Sequence, residues 1–330
     1  MRRLLVATPL VVALVLSGCG TGSDQSDDLQ LVANPVAATA VPSPARTAEP
    51  AGRVLPAAPV ASVAAAGGFL AVALTEPSLQ LYDLADLAKP PRAVSLPAPA
   101  ERLTPDGDRL LASLPGASAL ARVNPADGSV TTVPVAGQPA AAAPRGPQTL
   151  VAVRDRKAVD VLEGDRVTKS ITGQVYSADQ VLTAGNSTVV LDRLRTALFE
   201  VDLAAGTVNE GLRAGDGATN AVTDRYGRVL VTDTRAGSLL AFSAGPLLLR
   251  QRYPVPGGVY GIAYDAQRDL AWVTLTERNE VAAFDVGGGE PVERFRFPTV
   301  RQPNAVSVDP ASSAVVVGSA AGEGIQVITP

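Results

Sequence analysis

The stretch Val229-Leu230-Val231-Thr232-Asp233-Thr234-Arg235-Ala236-Gly237-Ser238-Leu239-Leu240-Ala241-Phe242 decides the fold. An apolar run from Val229 to Val231 gives way to a polar turn, Asp233 to Gly237, and then to a second apolar run, Leu239 to Phe242. Each run is too short for a helix and has the length of a buried strand bounded by turn residues. Upstream, Thr219 to Thr223 forms another apolar stretch, followed by the turn Asp224-Arg225-Tyr226-Gly227. An aspartate opening such a turn can hydrogen-bond to its own backbone, so Asp224 reads as turn chemistry rather than as a catalytic acid. The same role falls to Asp265 and Asp309, which occupy its place in the next two units, and Asp106-Gly107 is aligned with them in the second.

The unit recurs. An apolar residue followed by a polar one ends a strand-like stretch at Tyr82-Asp83, Val123-Asn124, Leu162-Glu163, Val201-Asp202, Phe242-Ser243, Phe284-Asp285 and Ile328-Thr329, with spacings of 41, 39, 39, 41, 42 and 44. A period near forty residues, with several short strands in each, is the signature of propeller blades. The expectation is an all-β, seven-bladed β-propeller with four antiparallel strands per blade. An eight-bladed ring or an open solenoid of the same units is the alternative. The seventh unit holds only three strands, near Ala305 to Asp309, Ala314 to Gly318 and Gly324 to Thr329, before the sequence stops at Pro330. Gly52-Arg53-Val54-Leu55 stands ready to supply the fourth and close the ring, removing the exposed edges of an open array.

Composition limits the chemistry. The 330 residues include no histidine, one cysteine and 13 aromatics (1 Trp, 6 Tyr, 6 Phe). A histidine general base, a Ser-His-Asp or Cys-His nucleophile system, the common zinc sites and an intrachain disulfide are therefore excluded. With 28 basic against 32 acidic residues the chain has no cationic excess to neutralise phosphates, and no nucleic-acid partner is expected.

The N-terminus reads as an address. Met1-Arg2-Arg3 precedes an apolar run from Leu4 to Leu16, shorter than the roughly 20 residues that span a bilayer, and then Leu16-Ser17-Gly18-Cys19. That tetrapeptide resembles the bacterial lipobox, which implies a signal peptide over 1–18 and lipid on the Cys19 sulfur. Residues 19–50, rich in Ala, Pro, Ser and Thr, read as a disordered, solvated tether, and residues 51–330 as the propeller domain. The implied location is the extracytoplasmic face of the cell membrane.

Val229-Leu230-Val231-Thr232-Asp233 and Ala271-Trp272-Val273-Thr274, each followed by a polar turn and a strand ending in Phe242 or Phe284-Asp285, resemble YVTN-type (YncE-like) repeats of bacterial surface and periplasmic propellers. With the lipobox, the chain is similar to the conserved propeller lipoproteins of mycobacteria and related actinobacteria. The resemblance implies a fold and an envelope location, and it carries no catalytic motif.

Binding residues are sought where inner strands enter the channel, since pockets form where several elements converge. Counting back from the aligned turn aspartates gives Glu101 and Arg102, Thr219 and Asn220, Tyr260 and Gly261, and Asn304 and Ala305, with Tyr176 as the fourth unit's counterpart. Such a ring suits a small polar ligand or a protein segment. The function expected is a binding or scaffolding module in the cell envelope, monomeric, without cofactor, metal or catalytic residues. The alternative is a divalent-cation-dependent, lactonase-like hydrolase, which would need Glu101, Asn220 and Asn304 to converge on one cation. Gly215-Asp216-Gly217 and Gly287-Gly288-Gly289 do not lie between a strand and a helix and lack the phosphate-binding arrangement. Pro246-Leu247-Leu248-Leu249, followed by Arg250, reads as an outer strand.

Overall fold

The computed structural model describes residues 33–330. Its strands form seven antiparallel sheets of four strands each. We number these blades 1 to 7 and letter the strands a to d from the channel outward. Blade 5 shows the pattern: strand a is Ala218–Thr223, b is Arg228–Asp233, c is Ser238–Ser243 and d is Leu248–Pro254. The run after Pro246 is thus an outer strand, as expected, with Leu248 and Leu249 exposed along it.

Blade 7 closes the ring. Its a, b and c strands are Pro303–Val308, Val315–Ser319 and Ile325–Ile328, and its d strand comes from the other end of the domain, Arg53–Leu55. Arg53 pairs with Val327, Val54 with Gln326 and Leu55 with Ile325. The buried Gln326 side chain secures the seam by donating to Ala51 O (2.6 Å) and Pro298 O (2.9 Å) and accepting from Val300 N (3.1 Å). Every polar atom of this buried amide is engaged with the segments being joined, which is the condition for burying a polar side chain cheaply.

Blade-to-blade packing uses small and branched side chains. The cluster shared by blades 1 and 2 contains only Ala, Leu and Val, among them Leu79, Leu110, Leu114 and Val123, all fully buried. Single rings enter elsewhere, Phe199 between blades 3 and 4 and Phe242 between blades 4 and 5, and three rings gather where blades 6 and 7 meet. Trp272 is fully buried and stacks near-parallel on Phe295 (5.9 Å, 12°) and Phe297 (6.2 Å, 15°). It pairs with Ala283 on the neighbouring strand, whose methyl leaves room for the rings to meet across it. Trp272 is a packing residue, in keeping with its place in the strand pattern.

The turn aspartates behave as the repeat predicts in blades 5 to 7. Asp224 accepts from the backbone N–H groups of Tyr226 and Arg228 (both 2.9 Å), Asp265 from Gln267 (2.9 Å) and Asp309 from Ser312 (3.1 Å). Asp106 departs from them: it is the last residue of its strand and pairs with Arg109 across the two-residue turn Gly107-Asp108. Gly107 takes a positive φ of 60° there, which a tight hairpin demands. The alignment of Asp106 with Asp224 therefore fails at the turn itself.

The reading of 19–50 as a solvated tether also needs correction over its described part. Residues 36–46 have no regular secondary structure, yet they lie against the propeller. Val36 O and Ala38 O accept from Arg235 and Arg193, Pro44 O from Asn279, and Val41 O from Gln302. Ser43 donates to Thr276 O (2.5 Å) and Arg46 pairs with Glu323 (2.9 Å). A strand-like peptide with several prolines leaves its carbonyls without an internal partner. Arginine and amide side chains on blades 4 to 7 supply one.

Candidate functional site: the front mouth of the channel

All seven a strands begin on one face, here called the front, together with the loops joining strands b and c. The channel behind this face has a volume of about 780 Å³ and is lined by all seven blades. In five a strands the pairing with strand b slips by one residue near the front: between Val60 and Ser62, Pro139 and Ala141, Ala218 and Asn220, Val259 and Ile262, and Pro303 and Ala305. Such a bulge twists the strand and re-aims its side chains. Tyr260 and Asn304 lie in these bulges and line the channel.

Five of the candidates, Glu101, Arg102, Asn220, Tyr260 and Asn304, line the channel together, as do Gly261 and Ala305. Thr219 and Tyr176 are not among the lining residues. Thr219 is buried, its hydroxyl 3.0 Å from that of Thr232 and 2.7 Å from that of Thr234. These hydroxyls tie blade 5 to blade 6, since Thr232 donates to Tyr260 O (2.7 Å) and Thr234 to Val259 O (2.7 Å). The bulge turns Thr219 inward and leaves Asn220 facing the channel. Tyr176 sits outside the mouth, its ring beneath the cationic groups of Lys157 and Arg195 at 5.1 Å each. Blade 4 contributes Gln180 in its place. The buried Gln180 amide donates to Ala221 O (2.7 Å) and accepts from Ala221 N (3.1 Å), so it joins blades rather than waiting for a ligand.

Three charged residues escaped the sequence reading: Arg154, Asp179 and Arg193. Arg154 donates through both terminal nitrogens to the Glu101 carboxylate and through Nε to Asp179 (2.8 Å). The second Asp179 oxygen accepts from the Arg193 backbone N–H (2.9 Å). Burial alone would lower the Arg154 pKa, but its pairs with Glu101 and Asp179 outweigh that and raise it above the ordinary value. Arg154 and Arg193 follow b strands, whereas the repeat register pointed only at a strands. Arginines just after Val153 and Asp192 were the signal available.

Arg102 is placed differently. Its Nη2 donates to Asn220 Oδ1 (2.8 Å), and Asn220 donates in turn to Tyr260 O (3.2 Å). Burial lowers the Arg102 pKa, partly offset by Glu101 and Tyr260, and the nearby Arg193 charge lowers it further. The three oxygens that the metal-hydrolase alternative requires are committed elsewhere: Glu101 to Arg154, Asn220 to Arg102, and Asn304 to Gln302 Nε2 (2.9 Å). Among the described residues, no three acidic, histidine or cysteine side chains gather as a metal site would need.

No family model matches the chain, and no curated protein matches it in sequence. Solved structures do resemble it. A chain of Kuenenia stuttgartiensis hydrazine synthase has a TM-score of 0.70 at 16% identity, over 86% of this chain and 99% of that one. A streptogramin B lyase has a TM-score of 0.70 at 10% identity, over 84% and 95%. A catalytically inactive histidine-to-alanine variant of virginiamycin B lyase from Staphylococcus aureus, with quinupristin, has a TM-score of 0.70 at 10% identity, over 84% and 98%. At such identities the likeness is one of fold, and the chain is a seven-bladed β-propeller.

Proposed function

We propose that this chain is a binding module of the cell envelope, held to the membrane by lipid on Cys19, with its ligand site at the front mouth of the channel. The observation that carries the site is the convergence of Glu101, Arg102, Asn220, Tyr260 and Asn304 on one cavity of about 780 Å³. A ring of donors and acceptors around an open cavity is what a polar ligand needs for orientation. Cys19 lies outside the described residues, and its role rests on the order of basic, apolar and Leu-Ser-Gly-Cys segments. Val36, which touches the front face through Arg235, is 17 positions from Cys19 (36 minus 19). Fully extended, that length reaches at most about 60 Å, so a lipid at Cys19 would keep the front face close to the bilayer.

The neighbouring lyase does not lend its activity. Its inactive variant replaces a histidine, and this chain has none. Fold likeness alone does not transfer function.

The test has two parts. Metabolic labelling with a clickable fatty acid should mark the parent and not Cys19→Ser, which should also leave the membrane fraction. Crosslinking and pull-down from intact membranes should recover partners that are lost when Tyr260 and Asn304 are both changed to alanine. Partners retained by the double variant would move the site away from the mouth.

A further inference from the structure

The charges at the mouth do not balance. Three guanidinium groups (Arg102, Arg154, Arg193) meet two carboxylates (Glu101, Asp179), and Arg154 engages both carboxylates. Arg102 is left with a neutral amide as its hydrogen-bond partner, and an arginine does not shed its proton to escape burial. Arg193 donates through Nη2 to Ala38 O (2.6 Å), while its Nε is sealed from solvent with no acceptor. Both side chains line the channel, and each lies within electrostatic range of the other. Two like charges beside one cavity, both part-exposed to it, suit that cavity to an anion.

We propose that the front mouth binds a small oxyanion, a carboxylate or a phosphate, at the guanidinium groups of Arg102 and Arg193, with Asn220 holding Arg102 in place and Tyr260 and Asn304 contacting whatever the anion is attached to. This rests on the mouth being the ligand site and narrows the ligand to one chemical class. Guanidinium suits it because its planar fork can donate two parallel hydrogen bonds to a carboxylate or phosphate. Glu101 does not repel the anion strongly, since Arg154 clamps both its oxygens. The source is a free metabolite or, given a nearby bilayer, a lipid headgroup.

Thermal unfolding of the full-length protein with inorganic phosphate, citrate or glycerophosphoglycerol, each against sodium chloride at matched ionic strength, tests this. At ten times its Kd a bound anion should raise the midpoint by about 3 °C. The rise should disappear in Arg102→Met and in Arg193→Met, and shrink in Arg102→Lys, which keeps the charge without the fork. Without anion, Arg102→Met should lower the midpoint by about 2 °C at most, the loss of its one hydrogen bond to Asn220. Strongest stabilisation by glycerophosphoglycerol points to a headgroup, and by phosphate or citrate to a free ligand. No rise beyond the chloride control, or a rise that survives in Arg102→Met and Arg193→Met alike, overturns the proposal. If anions fail while crosslinked partners are still lost with Tyr260 and Asn304, only the anion assignment falls.

Discussion

The two halves of the channel mouth are built on different principles. Blades 2 to 4 supply the charges: Glu101, Arg102, Arg154, Asp179 and Arg193. Blades 5 to 7 supply neutral groups, Asn220, Tyr260 and Asn304, aimed mainly by bulges and by threonine hydroxyls, and most of the strap 36–46 fastens to this half. The neutral half is regular because its repeat units are regular. The charged half takes Glu101, Arg102 and Asp179 from the entry to a strands and Arg154 and Arg193 from just past the ends of b strands, where the repeat register does not reach. Charged groups thus enter the mouth partly at positions that the repeat does not govern, as expected where side chains vary on a common scaffold.

The largest effect should come from opening the ring on which both halves depend. Deleting residues 51–56 removes the d strand of blade 7, buried Leu55 and the Ala51 acceptor of Gln326. The unfolding midpoint should fall by about 10 °C, given a few kcal/mol of lost pairing and burial. A truncation that melts like the parent would break the closure account.

Within the charged half, Arg154→Ala leaves the Asp179 carboxylate, nearly inaccessible to solvent, without its guanidinium partner. Removing one member of a buried pair costs about 3 kcal/mol, measurable by urea unfolding. The more exposed Glu101 should matter less, and Glu101→Gln at the same site provides the comparison.

Smaller still is the effect of cutting the strap. Deleting residues 33–46 removes contacts that are mostly side chain to carbonyl at a part-exposed rim. Each is worth about 1 kcal/mol at most, partly regained from water. The midpoint should drop by about 2 °C while the far-ultraviolet spectrum stays unchanged. A collapse of the fold would make the strap part of the core rather than a rim element.

Acid should separate the two halves least. Hydrogen bonds from Tyr264 and Tyr226 hold Asp269 below the usual carboxylate range, despite some opposing burial, and Arg294 does the same for Asp285. A depressed folded pKa gives stability that is fully present above the unfolded value near 4 and is lost as pH falls through the folded value. Asp192, raised by burial, works the other way and slightly favours the acid side. With no histidine, stability should be flat between about pH 5.5 and 8 and fall below about pH 4. A transition near pH 6.5 would contradict this.

The fold was legible because period, turn chemistry and the deficit of one strand all pointed to the same ring. Arg53–Leu55 occupies the place that the missing strand required. The site was half legible. Register from Asp224 put Asn220, Tyr260 and Asn304 on the channel lining, but could not show that the bulge buries Thr219 while exposing its neighbour. Tyr176 was misplaced because blade 4 has a two-residue turn at Gly185-Asn186 and no aspartate to count from. The strap was missed for a different reason. Proline-rich peptide has no internal structure to detect, and what orders it here is a set of side chains more than 150 residues away.

The central claim is that the front mouth is an anion-accepting ligand site. A crystal structure of the protein grown with citrate tests it most directly. The account predicts a carboxylate within hydrogen-bond distance of both Arg102 and Arg193, with Arg154 still clamped on Glu101. A mouth holding only water at saturating citrate, or citrate bound elsewhere on the propeller, would contradict it.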